Sequence, residues 1–317
     1  MAKDITLLGA NYEDVPAVNL PQTGGGTAAF FDVSGTTALP EDVSAGKYFL
    51  TAEGELTEGT GSPVDTLVER LHNRITHVED DTLTTMPSYG LASMSALTSV
   101  SFPNLTAINS YGFYSDTNLE MNSEWLFPKI KTIGNYAFRY DYAITGDIVV
   151  PSTCTSIGQY SFASCENIET FRCNGSIGTL GTYTFNGASG HIMKVREIYM
   201  PHLGGVALNL NFGSATAANA CQSLEVCDIG SAKSIAANTF ANCYKLQTLI
   251  MRRTSVTTLA NVSGFLNTPL RGGSGLTATV YVPSSLIDDY KAASNWKTID
   301  GYGYVTWAAI EGSPYEL

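Results

Sequence analysis

Positive charge is scarce in this chain. Only 17 Lys and Arg stand against 29 Asp and Glu, a formal net charge of −12, and no Lys/Arg run occurs. Binding to nucleic acid needs a basic patch facing the phosphates, so the composition argues against that class. Long hydrophobic runs are also missing. No stretch approaches 18 apolar residues, and no membrane-spanning helix is expected. Met1-Ala2-Lys3-Asp4 opens without a basic segment followed by an apolar one, so no secretory signal is expected either. Histidine is rare: His72, His77, His191 and His202 form no HExxH array. There is no G-x-S-x-G elbow and no Walker loop. The glycines between Thr23 and Thr27 precede no strand-to-helix unit carrying Lys, and they read as a turn-rich segment. The six cysteines are Cys154, Cys165, Cys173, Cys221, Cys227 and Cys243. Cys165 and Cys173 lack zinc-finger spacing and have no His pair, so the cysteines read as buried thiols.

What the chain has is a repeat. Ile133-Gly134-Asn135-Tyr136-Ala137-Phe138 returns as Ile157-Gly158-Gln159-Tyr160-Ser161-Phe162 and as Leu180-Gly181-Thr182-Tyr183-Thr184-Phe185. The aromatic slot runs through Leu91, Phe113, Phe138, Phe162, Phe185, Phe212, Phe240 and Phe265, at intervals of 22 to 28 residues. The aliphatic slot before it reads Met86, Ile108, Ile133, Ile157, Leu180, a degenerate Val206 to Leu208, Ile235 and Leu259. Three residues after the aromatic come Met94, Asp116, Asp141, Cys165, Ala188 and Cys243, and Cys221 joins the same class. Short extended runs lie between these turns: 97–103, 125–128, 147–151, 169–173, 196–201, 224–229, 246–251 and 279–283. Several end in Pro, which closes a strand because it has no ladder N–H.

A period of this length predicts a solenoid. One rung cannot bury its own apolar face. Stacked rungs align their strands about 4.8 Å apart in a parallel sheet, with the Phe and Ile slots as continuous internal ladders. The unit L-x-x-[IVL]-x-[FVM]-P-x3-T-x-I-G-x-Y-[AS]-F-x-x-C-x-x-[LI] resembles the leucine-rich repeat of the BspA-like bacterial surface proteins, over roughly residues 75–283. That resemblance implies an α/β-repeat, leucine-rich-repeat solenoid: a parallel sheet of short strands with an irregular or short-helical convex side. The longer rungs at 187–191 and 213–219 leave the register open between 186 and 224.

Four regions are expected. Residues 1–61, rich in Gly, Thr and Ala, form a small β-rich or extended N-terminal domain. Residues 62–83 form a linker and N-terminal cap, 84–283 the solenoid, and 284–317 a C-terminal cap and aromatic tail. Within 62–80 two readings compete. Val64, Val68, Leu71, Ile75 and Val78 fit a short coiled-coil seam. The favoured alternative is a helix to Leu71 followed by a first strand from Arg74 to Val78. At the other end, Ser284 or Ser285 would cap a helix whose Leu286, Ile287 and Tyr290, with Trp296, cover the last rung. The stretch YVPSSLIDDYKAASNW resembles the C-terminal cap found after BspA-like repeats.

Residues 1–61, from MAKDITLLGANYEDVPAVNL to DVSAGKYFLTAEGELTEGT, resemble the attachment region of tail-fibre and receptor-binding proteins from phages and prophages of Gram-positive bacteria. This implies docking to a phage tail or baseplate protein, a place in the virion tail after synthesis in the bacterial cytoplasm, and room for a homo-oligomer such as a trimer. The functional expectation is a non-enzymatic receptor-binding protein whose solenoid contacts a polysaccharide or protein on the bacterial surface. It needs no cofactor or metal, and it neither binds nucleic acid nor inserts in a membrane. The alternatives are a bacterial surface adhesin with the same solenoid and a polysaccharide-degrading tail enzyme. For the enzyme, Asp116 and Asp141 superficially fit a glycosidase pair, although their slot is a turn position that also accepts Cys or Met. For binding, Tyr111, Tyr136, Tyr160 and Tyr183 should stack with Tyr89 in one column. Tyr114, Tyr140 and Tyr142 lie nearby. Tyrosine offers an apolar face and a polar tip, suited to sugar rings or protein contact. The competing reading is that this column only packs between rungs.

Overall fold

The computed structural model describes residues 74–122, 125–188 and 191–317, together with six N-terminal strands. Two compact units divide the chain, Met1–Arg74 and Ile75–Leu317. In the first, Lys3–Leu7 pairs antiparallel with Ala10–Val15, Ala17–Pro21 with Thr27–Phe31, and Tyr48–Leu50 with Leu56–Glu58. The helix expected up to Leu71 lies outside the described residues.

The second unit is a coil of parallel rungs. Its main sheet has eight strands, in the order Met121–Asn122, Ile144–Val150, Ile168–Cys173, Glu197–Tyr199, Val226–Asp228, Thr248–Ile250, Ala278–Val282 and Val305–Ala309. Ahead of these, His77–Glu79 pairs in parallel with Ser99–Ser101, the position of the expected first strand. A second side of the coil carries two-residue strands at the aliphatic slot. Ile108 faces Met86 and Ile133, Ile133 faces Ile157, and Ile157 faces Leu180. Leu208, rather than Val206, takes this slot in the degenerate rung and pairs with Ile235.

The third side joins rungs through alternate amides. Tyr111, Phe113 and Ser115 donate to the carbonyls of Asn135, Ala137 and Arg139, each at 2.9 Å. The turn bends twice through left-handed backbone, two residues before and two after the core aromatic. Tyr89, Tyr111, Tyr136, Tyr160 and Tyr183 fill the first position at φ 53–63°. Ser93, Ser115, Tyr140 and Ser164 fill the second at φ 62–71°. An L-residue with a Cβ pays roughly 1–2 kcal/mol for such a conformation. In later rungs Asn238, Asn242 and Asn267 take these positions, as their lower cost there predicts. The Gly of I-G-x-Y answers a different need, because backbones meet there. A Cβ on Gly158 would lie 2.5 Å from the Gly134 carbonyl carbon.

The core is a stack of phenylalanines. Phe113, Phe138, Phe162, Phe185, Phe212, Phe240 and Phe265 are fully buried, and successive rings lie 5.0–6.0 Å apart within 16° of parallel. Each contributes roughly 2 kcal/mol by area. Beside them, Cys165 and Cys221 each donate Sγ–H at 2.9 Å to the Phe carbonyl of the rung before, Phe138 and Phe185. Cys221 is thus the slot residue of the irregular rung. Its N–H bonds the Phe212 carbonyl at 2.8 Å across the extra residues, which include a 3-10 turn at Ala217–Asn219. All six thiols are free and buried.

Three expectations are corrected. The run 125–128 is not a strand: pairing in that rung falls at Met121–Asn122. Trp125 instead turns its indole over Phe127, Phe138 and Phe162 and donates its N–H to the Phe127 carbonyl. Neither Ser284 nor Ser285 caps a helix with its side chain. A 3-10 turn at Ser284–Leu286 leads into α1 (Ile287–Ala292), whose N-cap is Leu286 without a side-chain bond. The Glu311 carboxylate accepts the Ser284 N–H instead. The aromatic tail also supplies a strand, Val305–Ala309, parallel to Ala278–Val282. It is preceded by α2 (Trp296–Gly301). The apolar closure itself is as expected. Tyr290 and Trp296 are fully buried, Trp296 lies 5.6 Å from Phe265, and its indole N–H reaches the Thr257 carbonyl.

Candidate functional site

The tyrosines come together on the turn side of the coil. Because every rung repeats the same left-handed bend, the residue two before the core aromatic leaves the backbone in the same direction each time. Tyr89, Tyr111, Tyr136, Tyr160 and Tyr183 therefore stack, with centroids 4.5, 4.7, 5.0 and 4.7 Å apart and planes within 14°. Tyr111, Tyr136, Tyr160 and Tyr183 are half-buried, while Tyr89 at one end is 62% exposed. Each inner ring between two neighbours has both faces covered. The column consequently offers ring edges and hydroxyls along its length, and its most exposed ring at Tyr89. Packing and exposure coexist in the same residues.

Tyr114, Tyr140 and Tyr142 extend this surface sideways. Tyr114 meets Tyr111 edge-on at 5.3 Å and Tyr140 at 5.7 Å. Tyr140 lies 6.3 Å from Tyr142, and Tyr142 stacks on His191 at 4.3 Å. Glu166 approaches His191 Nδ1 at 3.8 Å. All seven sequence-predicted site residues thus belong to one half-buried surface. Sequence reasoning put Tyr89 in the column without counting it among the site residues, and it missed His191 and Arg139. The Arg139 guanidinium lies 4.4 Å over the Tyr140 ring, 5.1 Å over Tyr160 and 5.5 Å over Tyr136, and donates to the Tyr140 hydroxyl at 2.6 Å. The signal was in the slots. One after the core residue, the sequence reads Ala92, Tyr114, Arg139, Ala163, and two after it, Ser93, Ser115, Tyr140, Ser164. The second and third rungs put Tyr114 and Arg139 between alanines, and the third alone puts a ring, Tyr140, among serines. Partial burial raises the hydroxyl pKa of Tyr114, Tyr142 and Tyr160, so these phenols stay protonated donors at neutral pH.

Asp116 and Asp141 lie elsewhere, inside the coil and fully buried. Asp116 Oδ1 accepts the Met94 N–H at 2.7 Å, and Asp141 Oδ1 accepts the Asp116 N–H at 2.8 Å. Both Oδ2 atoms are buried without a hydrogen-bond partner. Burial pushes the Asp116 pKa up to about 8. Burial, reinforced by Asp116, holds Asp141 well above the carboxylate range. A Cys in this slot instead donates its Sγ–H to the preceding Phe carbonyl, whereas each acid ties to the rung before by accepting a backbone N–H. The pair is built into the core ladder and opens to no substrate. Among the described residues no group of three or more His, Cys, Asp or Glu is arranged to hold a metal ion, and no helix is long and apolar enough to cross a membrane.

A coil of short parallel strands with buried aliphatic and aromatic ladders is a leucine-rich-repeat solenoid. The family model for the BspA type leucine rich repeat region matches in six copies, over residues 73–191 and 209–271. The chain belongs to this family. No curated protein matches it. Among solved structures it is similar to a leucine-rich repeat protein from Bacteroides ovatus, at 18% identity and TM-score 0.44, covering 73% of this chain and 58% of that one. It is also similar to a leucine rich cell surface protein from Faecalibacterium prausnitzii, at 17% identity and TM-score 0.36, covering 73% of this chain and 64% of that one. The chain therefore spans less than two thirds of the length of either.

Proposed function

We propose that this protein is a non-catalytic recognition protein whose solenoid binds a polysaccharide or protein of a bacterial surface through the tyrosine face. The observation that carries this reading is the assembly of Tyr111, Tyr114, Tyr136, Tyr140, Tyr142, Tyr160 and Tyr183 on one half-buried surface. Aromatic edges beside protonated hydroxyls make amphipathic contacts at low conformational cost, the chemistry that sugars and protein surfaces accept. Residues 1–61, on their resemblance to phage attachment regions, would dock the solenoid to a phage or prophage tail, possession of which would place the protein in the virion. A bacterial surface adhesin is the second reading, favoured by the BspA-type repeats themselves.

Sedimentation with envelopes of Gram-positive cells tests the reading. The intact protein should co-sediment, and a Tyr114→Ser, Tyr140→Ser, Tyr142→Ser variant that melts normally should not. Undiminished co-sedimentation of that variant would refute the assignment of the face. Fractionating producer cells and released phage particles separates the two readings. Recovery in particles supports the tail protein, and recovery in the cell wall supports the adhesin.

A further inference from the structure

The tyrosine face holds one cation at its centre. Arg139 packs against Tyr136, Tyr140 and Tyr160 within 5.5 Å. Among the described residues the ion pairs of arginine are Arg172 with Glu197, Arg196 with Glu225 and Arg252 with Asp228, and Arg139 has none. Its Nη2 donates to a neutral phenol, Tyr140. Its Nε is buried and has no hydrogen-bond partner. Arg253 and Arg271 are half-buried without a carboxylate too, but Arg253 donates its Nε–H to Ser255 and Arg271 donates to the Val262 carbonyl, so among the described residues Arg139 stands out by its buried, unpartnered Nε. Stacking on tyrosine partly compensates its desolvation, but rings cannot supply the paired acceptor oxygens that its planar fork matches.

We infer that Arg139 is an anion-recognition point within the tyrosine face, and that the ligand is an acidic glycan whose carboxylate or phosphate meets the guanidinium while its sugar hydroxyls meet Tyr114, Tyr140 and Tyr160. The inference rests on the recognition reading above and narrows its ligand class. The chain's net charge makes the assignment sharp. A polyanion is repelled by the molecule as a whole, so its retention reports a local site rather than general attraction.

The test uses the full chain and three defined polymers: polygalacturonate, the same polymer after carboxyl reduction, and a wall teichoic acid carrying backbone phosphate. Isothermal titration should show binding of polygalacturonate, teichoic acid or both, and binding of the reduced polymer at least about tenfold weaker, the scale of one charge-assisted contact. The acidic polymer that binds identifies the source of the anion. Arg139→Gln should abolish the preference for acid over neutral polymer. Arg139→Lys keeps the charge without the planar fork. It should retain part of that preference, and it serves as the folded control if the Gln variant fails to melt cooperatively. Equal affinity of the wild type for acidic and reduced polymers, or an unchanged preference in Arg139→Gln, overturns the inference and leaves the recognition reading standing. No binding of any of the three polymers overturns the acidic-glycan assignment, whereas the recognition reading stands or falls separately on envelope co-sedimentation.

Discussion

At the scale of single residues, the same slot does different chemistry in different rungs while keeping one geometric job. Asp116 and Asp141 occupy the position where Cys165, Cys221 and Cys243 donate to the carbonyl of a preceding rung. The folded state holds the acid form, since burial raises the Asp116 pKa from the ordinary 3.8 to about 8. The sign follows: between those values the folded chain binds more protons than the unfolded chain. The stabilising contribution is full below about pH 4 and is lost as pH rises through about 8. Urea midpoints measured across that range should fall with pH, and Asp141→Cys should flatten the slope. A midpoint rising from pH 4 to pH 8 in the wild type, unchanged by that substitution, would contradict the protonated ladder. Phe162 makes the simpler case. It lies fully buried between Phe138 and Phe185, so Phe162→Ala should cost about 3–5 kcal/mol in denaturant unfolding.

At the scale of the rung, the glycine of I-G-x-Y and the tyrosine after it play separate parts. Gly158→Ala should destabilise the coil because its new Cβ would meet the Gly134 backbone at 2.5 Å. A melting temperature equal to wild type would show that the rungs do not approach so closely. The aromatic and aliphatic ladders were legible in the sequence because a fixed chemical identity recurs in phase: Phe113 to Phe265, and Ile108, Ile133 and Ile157. The left-handed bend at Tyr136 was not, because tyrosine is an improbable choice there. The hint lay in Asn238 and Asn242, which hold the same two positions in a later rung. The insertion around 213–219 hid the register because Cys221 sits nine residues beyond Phe212 rather than three. The closing strand Val305–Ala309 was missed for a different reason. It carries no repeat signature, and its strand state follows from the exposed edge of Ala278–Val282 that it covers. As for the site, Tyr111, Tyr136, Tyr160 and Tyr183 could be placed from spacing, and Tyr114, Tyr140 and Tyr142 only as their neighbours, whereas Arg139 occurs once and periodicity cannot announce a residue that breaks it.

At the scale of the whole molecule, the Ile75–Leu317 unit contains the ladders, the C-terminal closure by Tyr290 and Trp296, and the tyrosine face. Produced alone, it should unfold cooperatively and retain envelope binding. Loss of cooperative unfolding on removing residues 1–74 would mean that the solenoid depends on them. The central claim is that the tyrosine face contacts the ligand. Hydroxyl-radical footprinting read by mass spectrometry, on the intact protein with and without bacterial envelope polysaccharide, tests it most directly. The account predicts protection at Tyr89, Tyr114, Tyr140 and Tyr142, with unchanged labelling of Tyr199, Tyr281 and Tyr315 on the main-sheet side. Protection confined to that second group, with the tyrosine face still fully labelled, would contradict it.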